Sequence, residues 1–297
     1  MTIEEALGAA AAGAARGEVR FPQDLQGFPG TVHGGAVAAL FHRLTLPRPP
    51  VHLRLELVRG VPTETPLSLT TTSAGHEARL TLAQGDRVLA RATLSREVVP
   101  AADPASARAA WAAKPASTGE TPGTSTCLAC GSANPIGLAV RFRVGDRLLW
   151  QEYVPREAYR GRDGDAHPAL AAVMLDELGW WLGALAQGEC GVTTEVEVTW
   201  YGALPLGPIL VIGDRSAVRA DENSRGRYCR AAGILLSPGG AVLAAGRVRF
   251  AGSRAYTRRL LEPFLETTGP DTLIRLFPSA GPLLARGTTD GPSEIVT

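Results

Sequence analysis

Two stretches of the chain read as copies of one unit, and this internal repeat limits the fold more than any other feature. The segment running Gln26-Gly27-Phe28-Pro29-Gly30-Thr31-Val32-His33-Gly34-Gly35 and on to Arg43 lies on the segment from Arg160 to Glu177, so that His33 falls on His167. Both are a glycine-rich loop, a histidine and an apolar run of helical length. Further along, Gly60 falls on Gly202 and Val88 on Val242, and the spacing between partners grows from 134 to 142 to 154 residues. The landmarks keep their order while the second copy gains residues where loops tolerate them.

Each copy predicts a helix followed by an antiparallel sheet. Helices are expected over 33–44, stopped near Pro47, and over 169–185, reaching Gly188. After each comes a strictly alternating apolar and polar segment, 51–57 and 194–200, the mark of a strand with one face buried. Further strands are expected over 67–72, 78–83, 88–96, 209–218, 226–236 and 242–250. A helix against a run of antiparallel strands is an α+β layer. The division that follows is a domain over 1–98, an Ala/Pro/Ser/Thr/Gly-rich linker over 99–126, a second domain over 127–252 and a tail over 253–297 that holds one helical patch at 255–266. Residues 2–16 read as a short amphipathic helix.

Composition removes several classes. The 30 basic and 29 acidic residues leave a formal charge of +1, so no global field draws in nucleic acid or an anionic membrane. The N-terminal stretch opens with Glu4 and Glu5 and lacks the basic start of a signal peptide, and no run approaches ~20 consecutive apolar residues. A cytoplasmic protein is expected, with Cys127, Cys130, Cys190 and Cys229 as reduced thiols. Cys127-x-x-Cys130-Gly131 has the spacing of a zinc half-site, but no second Cys/His pair follows it, so it reads as a tight turn. No metal and no cofactor is expected.

The Gln26–Gly35 stretch, followed by a small-apolar helix, resembles the signature of hotdog-fold acyl-CoA thioesterases of the phenylacetyl-CoA thioesterase type. Residues 127–138 (Cys-Leu-Ala-Cys-Gly-Ser-Ala-Asn-Pro-Ile-Gly-Leu) and then Leu175-Asp176-Glu177 resemble the same superfamily more broadly. Together these cover roughly 20–98 and 127–251. The resemblance implies two hotdog domains in tandem, each a central helix wrapped by an antiparallel sheet, paired as an intramolecular pseudo-dimer with sites at their interface.

It also implies chemistry. A backbone N–H of the first glycine after the histidine, at a helix start, polarises the thioester carbonyl, and a carboxylate nine positions after the histidine acts as nucleophile or as general base on water. Helix starts offer unpaired N–H donors at a positive dipole end, and glycine lets a ligand approach the backbone closely. The chain departs from the pattern twice. Nine after His33 stands His42, and after His167 come Pro168 and Ala169 in place of the glycines, although Asp176 is there. Proline has no N–H to offer. The two defects are complementary: Gly34 and Gly35 with Asp176 make one complete site across the interface, whereas Pro168 and Ala169 with His42 make a silent one.

The expected catalytic residues are therefore Asp176, Gly34 and Gly35, with His33, Gln26, Glu177 and Trp180 at the substrate. Against each stands a plainer reading: a loop-bracing role for His33, close packing for the glycines, a solvated neighbour for Glu177, core packing for Trp180 and Trp181, a core histidine for His42. The expected partner is an acyl-CoA or other acyl thioester, and the sequence leaves open a homo-oligomer of the two-domain chain. The leading function is thioester hydrolysis. A non-catalytic acyl-thioester-binding or structural hotdog protein is the alternative. A hydratase or dehydratase stands third, because the sequence offers no Asp and His pair in a hydratase-like loop.

Overall fold

The computed structural model describes residues 1–45, 48–96, 104–114, 116–221, 224 and 226–287. The first half opens with α1 (Ile3–Ala10), whose Thr2 and Glu5 form a reciprocal capping box, then β1 (Glu18–Val19), the small hairpin β2 (Gln26–Phe28) and β3 (Thr31–Val32), helix α2 (Gly34–Thr45) and strands β4 (Val51–Leu57), β5 (Leu67–Ala74), β6 (Glu77–Gln84) and β7 (Arg87–Ser95). The stretch expected to be a linker holds α3 (Pro104–Ala112) and β8 (Gly119–Glu120). Then come β9 (Arg143–Val144), β10 (Leu148–Tyr153), α4 (Ala169–Gln187), β11 (Gly191–Trp200), β12 (Ile209–Asp214), β13 (Arg219–Ala220), β14 (Tyr228–Leu236) and β15 (Val242–Gly252). Beyond β15 the chain folds into α5 (Arg254–Leu265), α6 (Pro270–Leu276) and α7 (Gly281–Gly287).

The repeat is visible in the sheet. Its order is β1-β5-β6-β7-β4 for the first half, continued without a break by β11-β15-β14-β12-β10 for the second, with β9 and β8 at the far edge and β13 on β14. Each half thus contributes the same five positions, mirrored about the β4–β11 seam. β10 is the second half's counterpart of the two-residue β1, and it is a strand that the alternation of the sequence did not announce.

Alternation fixes the register at the seam. Leu53 faces Val198, Leu55 faces Val196, and all four are buried, while Arg54, Glu56, Glu195 and Glu197 share the opposite face. A slip of one residue would bury the charges. On that outer face Arg54 donates to Glu195 at 2.7 Å. With Arg54 more than half exposed the pair is worth under ~1 kcal/mol, so apolar burial and the ladder hold the halves together.

Beneath the sheet α2 and α4 pack on each other and α4 runs along β14 and β15. Glycine permits this at Gly179, where an added Cβ would stand 2.4 Å from Val248, and at Gly183, 2.5 Å from Phe250. Helix α4 stops at Gly188, whose left-handed φ of 65° lets its N–H return to the Ala184 carbonyl. Among the described residues α4 is the one helix long and apolar enough to cross a membrane, but 89% of the 18-residue window that qualifies is buried inside the fold.

Candidate active site

The site begins with how α2 starts. The His33 carbonyl accepts the N–H groups of Ala36 and Val37, and its ring Nδ1 accepts the N–H of Gly35 at 3.1 Å. In its neutral form the imidazole caps the helix, and in its charged form Asp176 alone accepts the Gly35 N–H, a donor that the first turn leaves without a partner. The same device heads α4, where His167 Nδ1 accepts the N–H of Ala169 at 3.0 Å. Gly34 is different. Among the described residues its N–H has no hydrogen-bond partner, and it lines a cavity of about 270 Å³.

Asp176 reaches this helix start from the other half. Its Oδ2 accepts the Gly35 N–H at 2.8 Å and lies 3.2 Å from His33 Nδ1, while Oδ1 accepts the Thr193 hydroxyl of β11 at 2.8 Å. Burial raises the pKa of the Asp176 carboxyl, against the opposing pull of His33, Thr193 and the Gly35 N–H. Burial works the other way on His33, but Asp176 and Glu177 outweigh it and lift the imidazole to about 9. The structure thus joins His33, Gly34, Gly35 and Asp176 in one cluster built from both halves.

Glu177 is not the solvated neighbour that the sequence suggests. It is 7% exposed, its Oε1 accepts the Trp181 indole N–H at 3.0 Å, and its Oε2 stands 3.4 Å from His33 Nε2. A helix rotates about 100° per residue, which ordinarily sends adjacent side chains apart, yet both carboxylates are buried here because α2 and its leading loop cover that side of α4. Trp180 lines the cavity, its indole N–H tied to the Gly191 carbonyl and its ring edge-on to Phe28 and Phe250. Gln26 does not line it: its side chain accepts the Gly30 N–H and its carbonyl the Leu128 N–H, so it braces the loop.

Other residues join that the sequence did not mark. Thr193 has no local signature, because only the crossing of β11 over α4 brings it to Asp176. From α5, Tyr256, Arg259 and Phe264 line the cavity, so the helical patch of the tail closes the site. Cys127 and Cys130 line it too. Their segment is the tight turn expected, closed by the Gly131 N–H on the Cys127 carbonyl, and Asn134 pins it to the Asp24 carbonyl of the first half.

The pseudo-equivalent site is built differently. The counterparts of His33, Asp176 and Glu177 are His167, His42 and Arg43, and α1 covers them: Glu4 accepts from Arg43 at 2.6 Å and lies 3.1 Å from His167 Nε2. Pro168 stands where Gly34 offers its N–H. His42 packs on Trp200 at 4.6 Å, and burial, with His167 beside it, lowers its pKa from 6.5 to about 4. The folded chain therefore declines a proton that the unfolded chain accepts at about 6.5, and stability from this position falls as the pH drops from there toward 4. Thermal melts from about pH 7 to about pH 4.5 should show a steeper acid-side loss for the wild type than for His42→Phe, whose ring does not titrate. Equal slopes would remove His42 as the cause.

No protein-family pattern matches the chain, and no curated protein matches its sequence. Solved structures do match in shape. A Novosphingobium aromaticivorans protein assigned as a thioesterase superimposes with a TM-score of 0.50 at 20% identity, over 80% of this chain and 94% of its own. A hot dog fold protein of unknown function from Alicyclobacillus acidocaldarius gives 0.51 at 15% identity, over 80% and 92%. An N-terminal dehydratase from the difficidin assembly line gives 0.50 at 14%, over 76% and 87%. The chain is similar to each in fold, and its architecture is that of two hotdog units in tandem. A shared fold does not by itself fix an activity, so function must be argued from the site.

Proposed function

We propose that the chain hydrolyses an acyl thioester, an acyl-CoA being the expected form, at the single composite site between its halves. The observation that carries this reading is that Gly34, whose N–H has no partner among the described residues, stands at a helix start and lines the same cavity as Asp176, the carboxylate of the opposite half. The carbonyl oxygen of the thioester accepts the Gly34 N–H, where negative charge developing in the transition state meets a fixed donor and the positive end of α2. Asp176 takes a proton from water as that water adds to the carbonyl carbon, the C–S bond breaks and the proton passes to the leaving sulfur. Alternatively Asp176 adds to the carbon itself and the thiolate leaves; water then cleaves the resulting anhydride, freeing the acid and the Asp176 carboxylate and supplying the proton that the thiolate takes up.

Phe28, Leu57, Trp180 and Phe264 give the cavity an apolar wall suited to an acyl group, and the exposed Arg59 and Arg259 stand at its mouth where coenzyme A phosphates would arrive. A panel of acyl-CoA and short acyl-thiol thioesters, assayed by thiol release, tests this. Turnover that prefers coenzyme A esters is expected. Absence of turnover across the panel sinks the reading and leaves a thioester-binding role.

A second reading has one observation in its favour. The sequence offered no Asp and His pair for dehydration, but the fold brings His33 Nδ1 within 3.2 Å of Asp176 Oδ2. Such a pair can remove an α-proton and protonate a departing hydroxyl. Including 3-hydroxyacyl and 2-enoyl thioesters in the panel separates the readings, since dehydration changes the enoyl absorbance without releasing thiol.

A further inference from the structure

We propose that His33, Cys127 and Glu177 form a binding site for a divalent cation of zinc-like softness, with the fourth coordination position open to the cavity. The Cys127-x-x-Cys130 half-site has no second Cys/His pair after it because its partners are one histidine from the first half and one carboxylate from α4. His33 heads α2, Glu177 lies on α4, and the turn at Cys127 is clamped between the halves by Asn134. One ligand atom from each of the three lies within 4.8 Å of the others, and all three side chains are buried.

The distances suit a metal better than they suit the contacts they now make. His33 Nε2 and Glu177 Oε2 are 3.4 Å apart, long for a charge-assisted hydrogen bond, which runs about 2.7–2.9 Å. Tetrahedral bonds of about 2.0–2.1 Å place neighbouring nitrogen and oxygen ligands about 3.4 Å apart. The Cys127 sulfur needs to draw in by no more than about 1.3 Å to complete the set.

The surrounding groups already orient each ligand as a metal requires. His33 turns Nε2 toward Glu177; when a cation takes Nε2, Nδ1 carries the proton and faces Asp176 at 3.2 Å, while the Gly35 N–H stays on Asp176 Oδ2 at 2.8 Å, so a carboxylate backs the ligating imidazole. Trp181 holds Glu177 Oε1 and leaves Oε2 for the cation. The Cys127 sulfur accepts the N–H groups of Ala129 at 3.3 Å and Cys130 at 3.5 Å, which favours a thiolate there. Imidazole, thiolate and carboxylate together match zinc rather than magnesium or calcium. With three protein ligands, all lining the cavity, and one open position, the bound cation presents a Lewis acid to whatever enters it. This inference does not rest on thioester turnover.

The test uses the full chain, free of any histidine tag, reduced, stripped with a chelator and titrated with cobalt(II). One cobalt per chain is expected, with a thiolate-to-cobalt charge-transfer band that zinc(II) then abolishes by displacement. Cys127→Ser should lose the band. Glu177→Gln and Asp176→Asn should each weaken binding by about 10-fold or more, the first by losing a ligand and the second by losing the support of His33. Circular dichroism and melting of each variant report whether it is folded, and a misfolded Cys127→Ser leaves the other two to decide. No band in the reduced wild type, a band that survives Cys127→Ser, or affinity unchanged in both carboxylate variants overturns the proposal.

Discussion

Asp176→Asn should lower kcat for thioester hydrolysis by about 10³-fold while leaving KM within a few-fold and the fold intact. The substitution preserves volume and one acceptor. The new amide oxygen keeps the Gly35 N–H, now 2.8 Å from Oδ2, and the amide nitrogen turns to the Thr193 hydroxyl, which rotates to accept in place of donating. The structural cost is then about 1–3 kcal/mol, because the amide keeps its two principal partners while the buried His33 loses its anionic one. What disappears is the lone pair that takes a proton or attacks carbon, and general-base or nucleophilic roles are worth about 10²–10⁴-fold. One composite site means the loss is not shared: the counterpart cluster at His42 and His167 has neither a carboxylate at that position nor the N–H that Pro168 lacks. Parallel thiol-release assays and thermal melts check both halves of the expectation. Residual turnover within tenfold of the wild type would move the catalytic role elsewhere, whereas a large loss of melting temperature would mean that Asp176 chiefly holds the two halves together.

The fold was legible where chemistry is local or periodic. Alternation over 51–57 gives a strand whose bounds are those of β4, and the apolar runs after His33 and His167 give α2 and α4 to within two residues. The complementary losses at His42 and Pro168 pointed across the interface, and Gly35 and Asp176 do touch there. What stayed hidden depends on long-range placement. Glu177 follows Asp176 in sequence, and nothing local says that both sides of α4 are covered. Thr193 carries no pattern. The Cys127 turn was recognised as a turn, but a search for ligands confined to later residues could not find His33, 94 positions earlier. The closing of the second site by Glu4 likewise needs α1 to cross onto the other half, an arrangement the capping box at Thr2 and Glu5 does not disclose.

Gly35→Ala should destabilise the protein by about 2–3 kcal/mol and displace Asp176, although glycine in a helix is normally the weaker choice. A Cβ at Gly35 would stand 2.5 Å from both the Ala172 carbonyl oxygen and the Val173 Cα, and both are backbone of α4. No side chain can rotate aside, so α2 and α4 must move apart along their contact. Overpacking of this kind costs about 1–3 kcal/mol and occasionally more, with backbone on the receiving side placing it at the upper end. Helix propensity favours alanine by up to ~1 kcal/mol and offsets only part of that. A domain pair of this size should then melt roughly 3–5 °C lower. Gly202→Ala is the control: it has no neighbour within 4 Å and no left-handed φ, so it should stay within about 0.5 kcal/mol of the wild type. The two glycines after His33 thereby divide their work. At Gly34 the added Cβ would meet Asp176 Oδ2 at 2.7 Å and Leu57 at 3.0 Å, side chains facing the cavity, so its smallness keeps room for a ligand. Gly35 keeps room for a helix, and the 2.8 Å bond from its N–H to Asp176 is set by that helix contact. If Gly35→Ala melted with the wild type, the close approach of α2 and α4 would not be what fixes the carboxylate, and the tie between packing and site geometry would fail with it.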